Sequence, residues 1–442
     1  MICVFENLCS YFKQNHEKQK NTRFDNFVFR LYNYYKTENY YSVFANSYLQ
    51  KVIKMIGFDR LNEKAKNTDQ GAIRVMFDKA AGMDGVIRMG IGEPSQNTNL
   101  DICRACADAL MSGKTHYAPN AGIYELRKSL SRSGFIAKDF FDPEGEIMVT
   151  NGGMGAFALI MQVILEPGDQ VLIQDPQYLN FEKTISYLGG VAVPVPTRFE
   201  DGFCMSADEV RRRYVKGKTK MLVINSPNNP TGEVIPEDKL RELARVAVEL
   251  DLLVLSDEVY GRLLYDGAKP LSISEFPGMK ERTIVLGSFS KAYAMTGWRL
   301  GYVGGPRGII DRMTKVQEYF NSCINTPAQY GALYALSHPE FVEEIRGEFD
   351  ERRKIALDGF SSLKGVITNY PKGAFYLFPS IKNTGLDSIT FCNRLLEEER
   401  VVCVPGNAFG EHGEGHIRVS YSGEKDSIIR AIERIQHFCE KH

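Results

Sequence analysis

Short apolar runs alternate with amphipathic stretches through the middle of the chain. Gln170-Val-Leu-Ile-Gln174, Gly190-Val-Ala-Val193, Met221-Leu-Val-Ile224, Leu252-Leu-Val-Leu255 and Thr283-Ile-Val-Leu286 have the length and apolar content of buried strands. Two further runs, Val86-Ile-Arg-Met89 and Glu146-Ile-Met-Val-Thr150, end in glycines, and the second opens onto an apolar helix over Phe157 to Leu165. The clearest amphipathic helix spans Pro236 to Leu250, with Leu240, Leu243, Ala244, Ala247 and Leu250 on one face. Strands that alternate with helices predict an α/β sheet with parallel strands.

The pattern changes near Asp311. Long helices follow, one carrying Phe341, Val342, Ile345, Phe349, Ala356 and Phe360 on one face, and a last one carrying Ile428, Ile432, Ile435 and Phe438. Between them Gly373-Ala-Phe-Tyr-Leu-Phe378, Val401-Val-Cys-Val404 and Gly415-His-Ile-Arg-Val-Ser420 read as strands. A smaller α+β domain is therefore expected after the larger one. Residues 1–54 differ from both: they are aromatic and basic-polar, with Tyr32-Asn-Tyr-Tyr35 and Asn39-Tyr-Tyr41, and hold no helical or strand period. Two readings of them stand, a start at Met55 with an untranslated leader upstream, and a genuine arm for a partner or dimer neighbour. Either way they are expected to be dispensable for folding.

Charge and composition narrow the function. Against 55 acidic residues stand 54 basic ones, a formal net charge of −1, so no field draws in nucleic acid or an anionic membrane. Small-molecule chemistry is the better default. The nine cysteines are unpaired in spacing, which fits reduced thiols and a cytoplasmic setting. Cys103 and Cys106 form a lone C-x-x-C on a stretch that reads as a helix, and the seven histidines sit apart, so no metal site is expected. No run has the roughly 18 apolar residues of a membrane span, and the N-terminus lacks an apolar signal core.

The chemistry concentrates in Ser288-Phe-Ser-Lys-Ala-Tyr-Ala-Met-Thr-Gly-Trp-Arg299, just beyond a buried strand. A lysine partly desolvated there has a lowered pKa and becomes a nucleophile toward an aldehyde, which makes Lys291 a Schiff-base candidate. Ser288, Ser290 and the fork of Arg299 are suited to a phosphate ester beside that aldehyde, and the implied ligand is pyridoxal 5′-phosphate. Ser-x-Ser-Lys followed by Gly-Trp-Arg-x-Gly resembles the cofactor-lysine motif of the class I/II, fold-type I aminotransferases, and the resemblance extends from about Met55 to the C-terminus.

That resemblance implies a division into an N-terminal segment contributing to the small domain (55–90), a large cofactor-binding domain (91–315) and a C-terminal small domain (316–442). It implies roles as well. Gly153 and Met154 hold the phosphate through their backbone N–H groups, with Ser288, Ser290 and Arg299. Tyr178 stacks on the pyridine ring, Asn229 and Tyr260 hydrogen-bond its O3′, and Asp257 pairs with the ring nitrogen and keeps it protonated. Tyr117 reaches the phosphate of a neighbouring subunit, which implies a homodimer. Arg418 takes the substrate α-carboxylate, with Gly92 and Asn229 beside it. The implied reaction moves an amino group from an L-amino acid to a 2-oxo acid such as 2-oxoglutarate.

In aspartate-using members of the subgroup the chain most resembles, a lysine at the third position of the Gly-Gly-x turn pairs with the distal carboxylate. Met154 stands there, so donors with apolar or neutral side chains are expected. Aspartate aminotransferase activity remains the alternative, with a basic residue entering from elsewhere. A C–S β-lyase would give pyruvate and ammonia without an acceptor. A transcription regulator built on the same domain would need an upstream DNA-binding domain, for which residues 1–54 lack both periodicity and length.

Overall fold

The computed structural model describes residues 61–68 and 71–442. Residues 1–54 and Met55 lie outside the described residues. Contacts divide the chain into Met1–Asp69 and Gln70–His442. In the first unit a helical turn, Glu63–Lys66, is started by Asn62, whose side chain accepts a hydrogen bond from the Ala65 N–H. The second unit carries the sheets.

Its strands in chain order are β1 Ile87–Arg88, β2 Ile147–Asn151, β3 Gln170–Asp175, β4 Val191–Pro196, β5 Thr219–Asn225, β6 Leu253–Asp257, β7 Thr283–Ser288, β8 Leu300–Gly304, β9 Tyr376–Leu377, β10 Val401–Val402, β11 Val404–Pro405 and β12 Ile417–Ser420. Among the described residues the largest sheet has seven strands in the order β2-β8-β7-β6-β5-β3-β4. Its run from β4 to β7 is parallel throughout, as expected.

The exception is β8, which runs antiparallel to both β2 and β7 and was not expected as a strand. Its sequence, Leu-Gly-Tyr-Val-Gly, hides the pattern with two glycines, and both are required by close approach. A Cβ on Gly301 would lie 2.6 Å from the carbonyl carbon of Gly152, and one on Gly304 would lie 3.0 Å from the ring of Phe141.

Successive residues of β5 serve opposite layers, because side chains alternate across a strand. Met221 and Val223 pack with Phe157 and Ile160 of the helix Gly152–Ile164. Leu222 and Ile224 pack with Leu240, Leu243 and Ala247 of the helix Glu237–Glu249. Each of the larger fully buried side chains contributes about 1.5–3 kcal/mol, so the two layers clamp the sheet from both sides. The architecture is α/β, with a mostly parallel central sheet flanked by helices.

The C-terminal elements form a second core. β11, β12 and β9 make a three-stranded antiparallel sheet, and β1 pairs in parallel with β10. The expected strands are shorter than the apolar runs. Val401-Val-Cys-Val404 divides at Cys403, its first half pairing with β1 and its second with β12, because one run serves two sheets. The helices Glu340–Ser361 and Lys425–Lys441 bury the expected faces, including Phe349, Ala356, Phe360, Ile428, Ile435 and Phe438. Among the described residues no helix is long and apolar enough to cross a membrane.

One unexpected residue fastens this core. Arg353 is wholly buried on the helix Glu340–Ser361 and forks onto Asp266 through two 2.8 Å bonds, while its Nε donates to Asp350 at 2.9 Å. A third tie runs to the Pro371 carbonyl, and the guanidinium lies 4.8 Å from the Tyr265 ring. The guanidinium is buried but Asp266 keeps 38% of its side chain in solvent, so removing Arg353 leaves carboxylates that water can reach and costs chiefly the lost hydrogen bonds and the unpaired Pro371 carbonyl. Arg353→Met is therefore expected to lower the urea midpoint by an amount equivalent to about 1–2 kcal/mol, and an unchanged midpoint would show that the fork carries no stability.

Candidate active site

The C-terminal ends of β3, β5, β6 and β7 lie side by side, and open α/β sheets bind ligands at that edge. β7 ends at Ser288, whose side chain accepts from the Ser290 N–H at 3.1 Å and so starts the single turn Phe289–Ala292. Its hydroxyl also donates to Ser290 Oγ at 2.9 Å and to the Leu300 carbonyl of β8 at 3.1 Å. This fixes the turn that presents Lys291. Lys291 Nζ donates to the Gly92 carbonyl at 2.6 Å. Burial pulls its amine down to about 8, against a smaller upward pull from Glu93, with Arg418 and Arg299 adding to the fall. Glu93 in turn accepts a hydrogen bond from the Thr296 hydroxyl.

Asp257 closes β6. Its carboxylate accepts from the Val259 N–H at 3.1 Å, and among the described residues no cation pairs with it. Burial pushes the carboxyl up to about 7. Asn225, opposite it on β5, donates from its side chain to the Asp257 carbonyl at 3.2 Å and accepts from the Asn229 N–H at 2.9 Å, which shapes the loop carrying Asn229. Asn229 Oδ1 accepts from Arg418 at 2.9 Å.

Arg418, on β12, is buried, with its guanidinium 4.7 and 4.8 Å from the ring centroids of Tyr376 and Phe409. It also donates to the Gly90 carbonyl at 2.8 Å, and its Nε has no partner among the described residues. Its ordinary pKa is lowered by burial, yet a guanidinium stays charged at any physiological pH. Tyr260 and Tyr376 share a 2.8 Å hydroxyl contact.

The helix Gly152–Ile164 begins at the glycines themselves rather than at Phe157. The first N–H groups of a helix have no intrahelical acceptor and point outward, a ready seat for an anion. Gly152 has φ +66, and a Cβ there would come within 2.6 Å of the Arg299 guanidinium. Arg299 therefore lies directly over the helix start.

One cavity of about 260 Å³ gathers Gly92, Gly153, Met154, Tyr178, Asn229, Asp257, Tyr260, Ser288, Ser290, Lys291, Arg299 and Arg418. Tyr117 is not among them; it stands 87% exposed on the surface. Sequence reasoning missed Tyr376 and Thr296, which also line the cavity, and Phe409 behind Arg418. The one polar atom in the apolar run Gly373–Phe378 was the available signal for Tyr376; nothing in the sequence marked Phe409.

The lowered amine generates a direct prediction. Reductive methylation by formaldehyde needs the neutral amine, so Lys291 should reach half its maximal labelling rate near pH 8, while exposed lysines do so above about pH 10. Site-resolved mass spectrometry across pH 6–11 checks this, and a Lys291 midpoint with the surface lysines would contradict the burial argument.

Residues 84–435 match the family described as Aminotransferase class I and II. The chain is 43% identical over 380 residues to an aspartate aminotransferase of Pyrococcus abyssi, covering 85% of this chain and 97% of that one. It is 41% identical over 384 residues to aromatic-amino-acid aminotransferase 2 of Thermococcus litoralis, with the same coverages. Among solved structures, the aromatic aminotransferase of Pyrococcus horikoshii superposes with a TM-score of 0.78 at 42% identity, over 83% of this chain and 99% of that chain. The Thermus thermophilus aspartate aminotransferase with maleate gives 0.80 at 37%, over 85% and 99%. With a sheet, a buried lysine and an arginine-lined cavity of this kind, and with matches that run nearly the full length of those proteins, the chain belongs to the class I and II aminotransferases.

Proposed function

We propose that this aminotransferase uses pyridoxal 5′-phosphate to move the amino group of an L-amino acid with an apolar or neutral side chain to a 2-oxo acid such as 2-oxoglutarate. The observation that carries the reading is the pairing, in one cavity, of a buried carboxylate lacking a cation with a buried amine lowered to about 8. The donor set fits the cofactor at both ends. Asp257 would hold a protonated ring nitrogen, which satisfies the carboxylate that burial otherwise penalises. The helix start at Gly153 and Met154, with Ser288, Ser290 and Arg299, would hold the phosphate. Tyr178 would lie against the ring, and Asn229 and Tyr260 would contact O3′. Bound there, the cofactor supplies an aldehyde and a pyridinium that accepts electron density from the substrate.

The chain's own groups do the rest. Lys291, neutral to a useful extent at pH 8, would take the proton from the substrate Cα and hold it within the cavity for return. Arg418 is held by Asn229, Gly90 and two aromatic faces, and its remaining N–H groups accept a carboxylate in a fixed orientation. Gly92 borders the same space. The exposure of Tyr117, together with that of Met111 at 88% and Tyr319 at 81%, supports a homodimer in which Tyr117 completes the neighbouring site. Seven free cysteines and no disulfide among the described residues support a reducing, cytoplasmic setting.

Similar proteins carry both aspartate and aromatic names, so the side-chain preference has to come from this chain. Met154 lines the cavity, where a thioether offers a carboxylate no partner and an apolar group a deformable surface. A donor screen with 2-oxoglutarate, following both the 2-oxo acid product and the cofactor spectrum, tests the whole reading. Phenylalanine, tyrosine, methionine or leucine should exceed aspartate in kcat/KM by about tenfold or more, ~1.4 kcal/mol. Met154→Lys should raise the aspartate value. Aspartate leading by that margin would overturn the preference, and absence of transfer from every donor would overturn the reaction.

A further inference from the structure

Tyr376 is the cavity residue whose position the reading above leaves without a purpose. It sits on β9, 1% exposed, and two parts of its side chain are engaged separately. The hydroxyl meets that of Tyr260 at 2.8 Å. The ring lies against Arg418, 4.7 Å from its guanidinium, and the Phe409 ring lies 4.8 Å from the same guanidinium. The space for the hydroxyl exists because residue 92 is glycine, since a Cβ there would come within 2.2 Å of it. Gly92 is also the residue whose carbonyl accepts from Lys291.

We propose that Tyr376 is a positioning residue that aligns the two halves of the site, its hydroxyl orienting Tyr260 toward the cofactor and its ring orienting Arg418 toward the substrate carboxylate. The inference rests on the cofactor reading above. Tyr260 has a single hydroxyl proton. If that proton is given to O3′, the contact with Tyr376 runs the other way: Tyr376 donates, and Tyr260 accepts. A donor behind a donor strengthens it, because linked hydrogen bonds polarise one another. The charged and titratable groups that face this pair are Arg418 and Tyr178. Neither of them bonds the two hydroxyls in the structure, so Tyr260 depends on Tyr376 for that orientation.

The ring has its own consequence. Arg418 spends one N–H on Asn229 and one on Gly90, and the rings of Tyr376 and Phe409 beside it limit how far it can turn about those two bonds. A cation over an aromatic face is also favourable in a desolvated site.

Two variants separate the functions. Tyr376→Phe keeps the ring and removes the hydroxyl; Tyr376→Leu removes both. The first measurement is the pH midpoint of the cofactor absorbance in the loaded enzyme. Donation onto O3′ draws density from the neighbouring nitrogen that links Lys291 to the cofactor, so weaker donation lets that nitrogen hold its proton to higher pH. The midpoint should rise by about half a pH unit or more in both variants. The second measurement is the Kd of a carboxylate without an amino group, 3-phenylpropionate or succinate, whichever binds the parent enzyme. It should change less than about twofold in Tyr376→Phe and rise about fivefold or more in Tyr376→Leu. A midpoint shift below half a unit in Tyr376→Phe overturns the role of the hydroxyl, and a smaller rise in Kd for Tyr376→Leu overturns that of the ring. A parent enzyme with no pH-dependent cofactor band would refute the cofactor reading instead.

Discussion

A carboxylate held out of water at the end of β6, with one backbone N–H as its partner, is the constraint on which the site depends. The sheet fixes where it starts from: Asp257 is in register with Asn225 on one side and Leu286 on the other, so its backbone is held by two ladders at the floor of the cavity. The next residue shows the alternative. Glu258 is also buried and pushed up to about 7, yet it accepts from the hydroxyls of Ser256 and Ser272 at 2.8 and 2.6 Å. Side chains alternate across an extended chain, so Glu258 lies outside the cavity lining with two hydroxyl donors that offset its burial, while Asp257 faces the cavity with neither hydroxyl nor cation beside it among the described residues.

Around that carboxylate the site draws on distant parts of the chain. Lys291 comes from the turn after β7, Arg418 from β12, and the Gly90–Gly92 carbonyls from the segment after β1. That segment is itself tied down: Ser422 donates from its hydroxyl to the Ile91 carbonyl, and the Ser95 N–H donates to the Ser422 carbonyl. The amine and the guanidinium are thus both referenced to one short stretch of backbone. Arg353 steadies the same neighbourhood from behind, since its fork onto Asp266 holds the chain beside Tyr265 and Pro371.

Much of this was legible in the sequence because the physics was local. Parallel strands buried on both faces read as apolar runs, and the residues that follow them are where a ligand must bind. Lys291 was legible because a lysine directly after Ser288-Phe-Ser290, at the end of such a run, has few bland explanations. β8 was not, because Gly301 and Gly304 serve packing contacts that leave no hydrophobic trace. The start of the helix Gly152–Ile164 was set five residues too late, since glycines look like a loop until a helix start is needed to face Arg299. Arg353 and Tyr376 escaped for a related reason. A charged residue in a helix is expected outside and a tyrosine in a strand is expected to pack, and only tertiary partners show otherwise.

The central claim is that the charge of Asp257, and not merely its shape, makes the cavity a catalyst. Asp257→Asn keeps the shape and removes the charge. The direct measurement is the single-turnover rate at which a saturating amino donor converts the cofactor bound to this variant. The account predicts a fall of about a thousandfold, ~4 kcal/mol, with the cofactor still bound and still linked to Lys291. A rate within tenfold of the parent would contradict it.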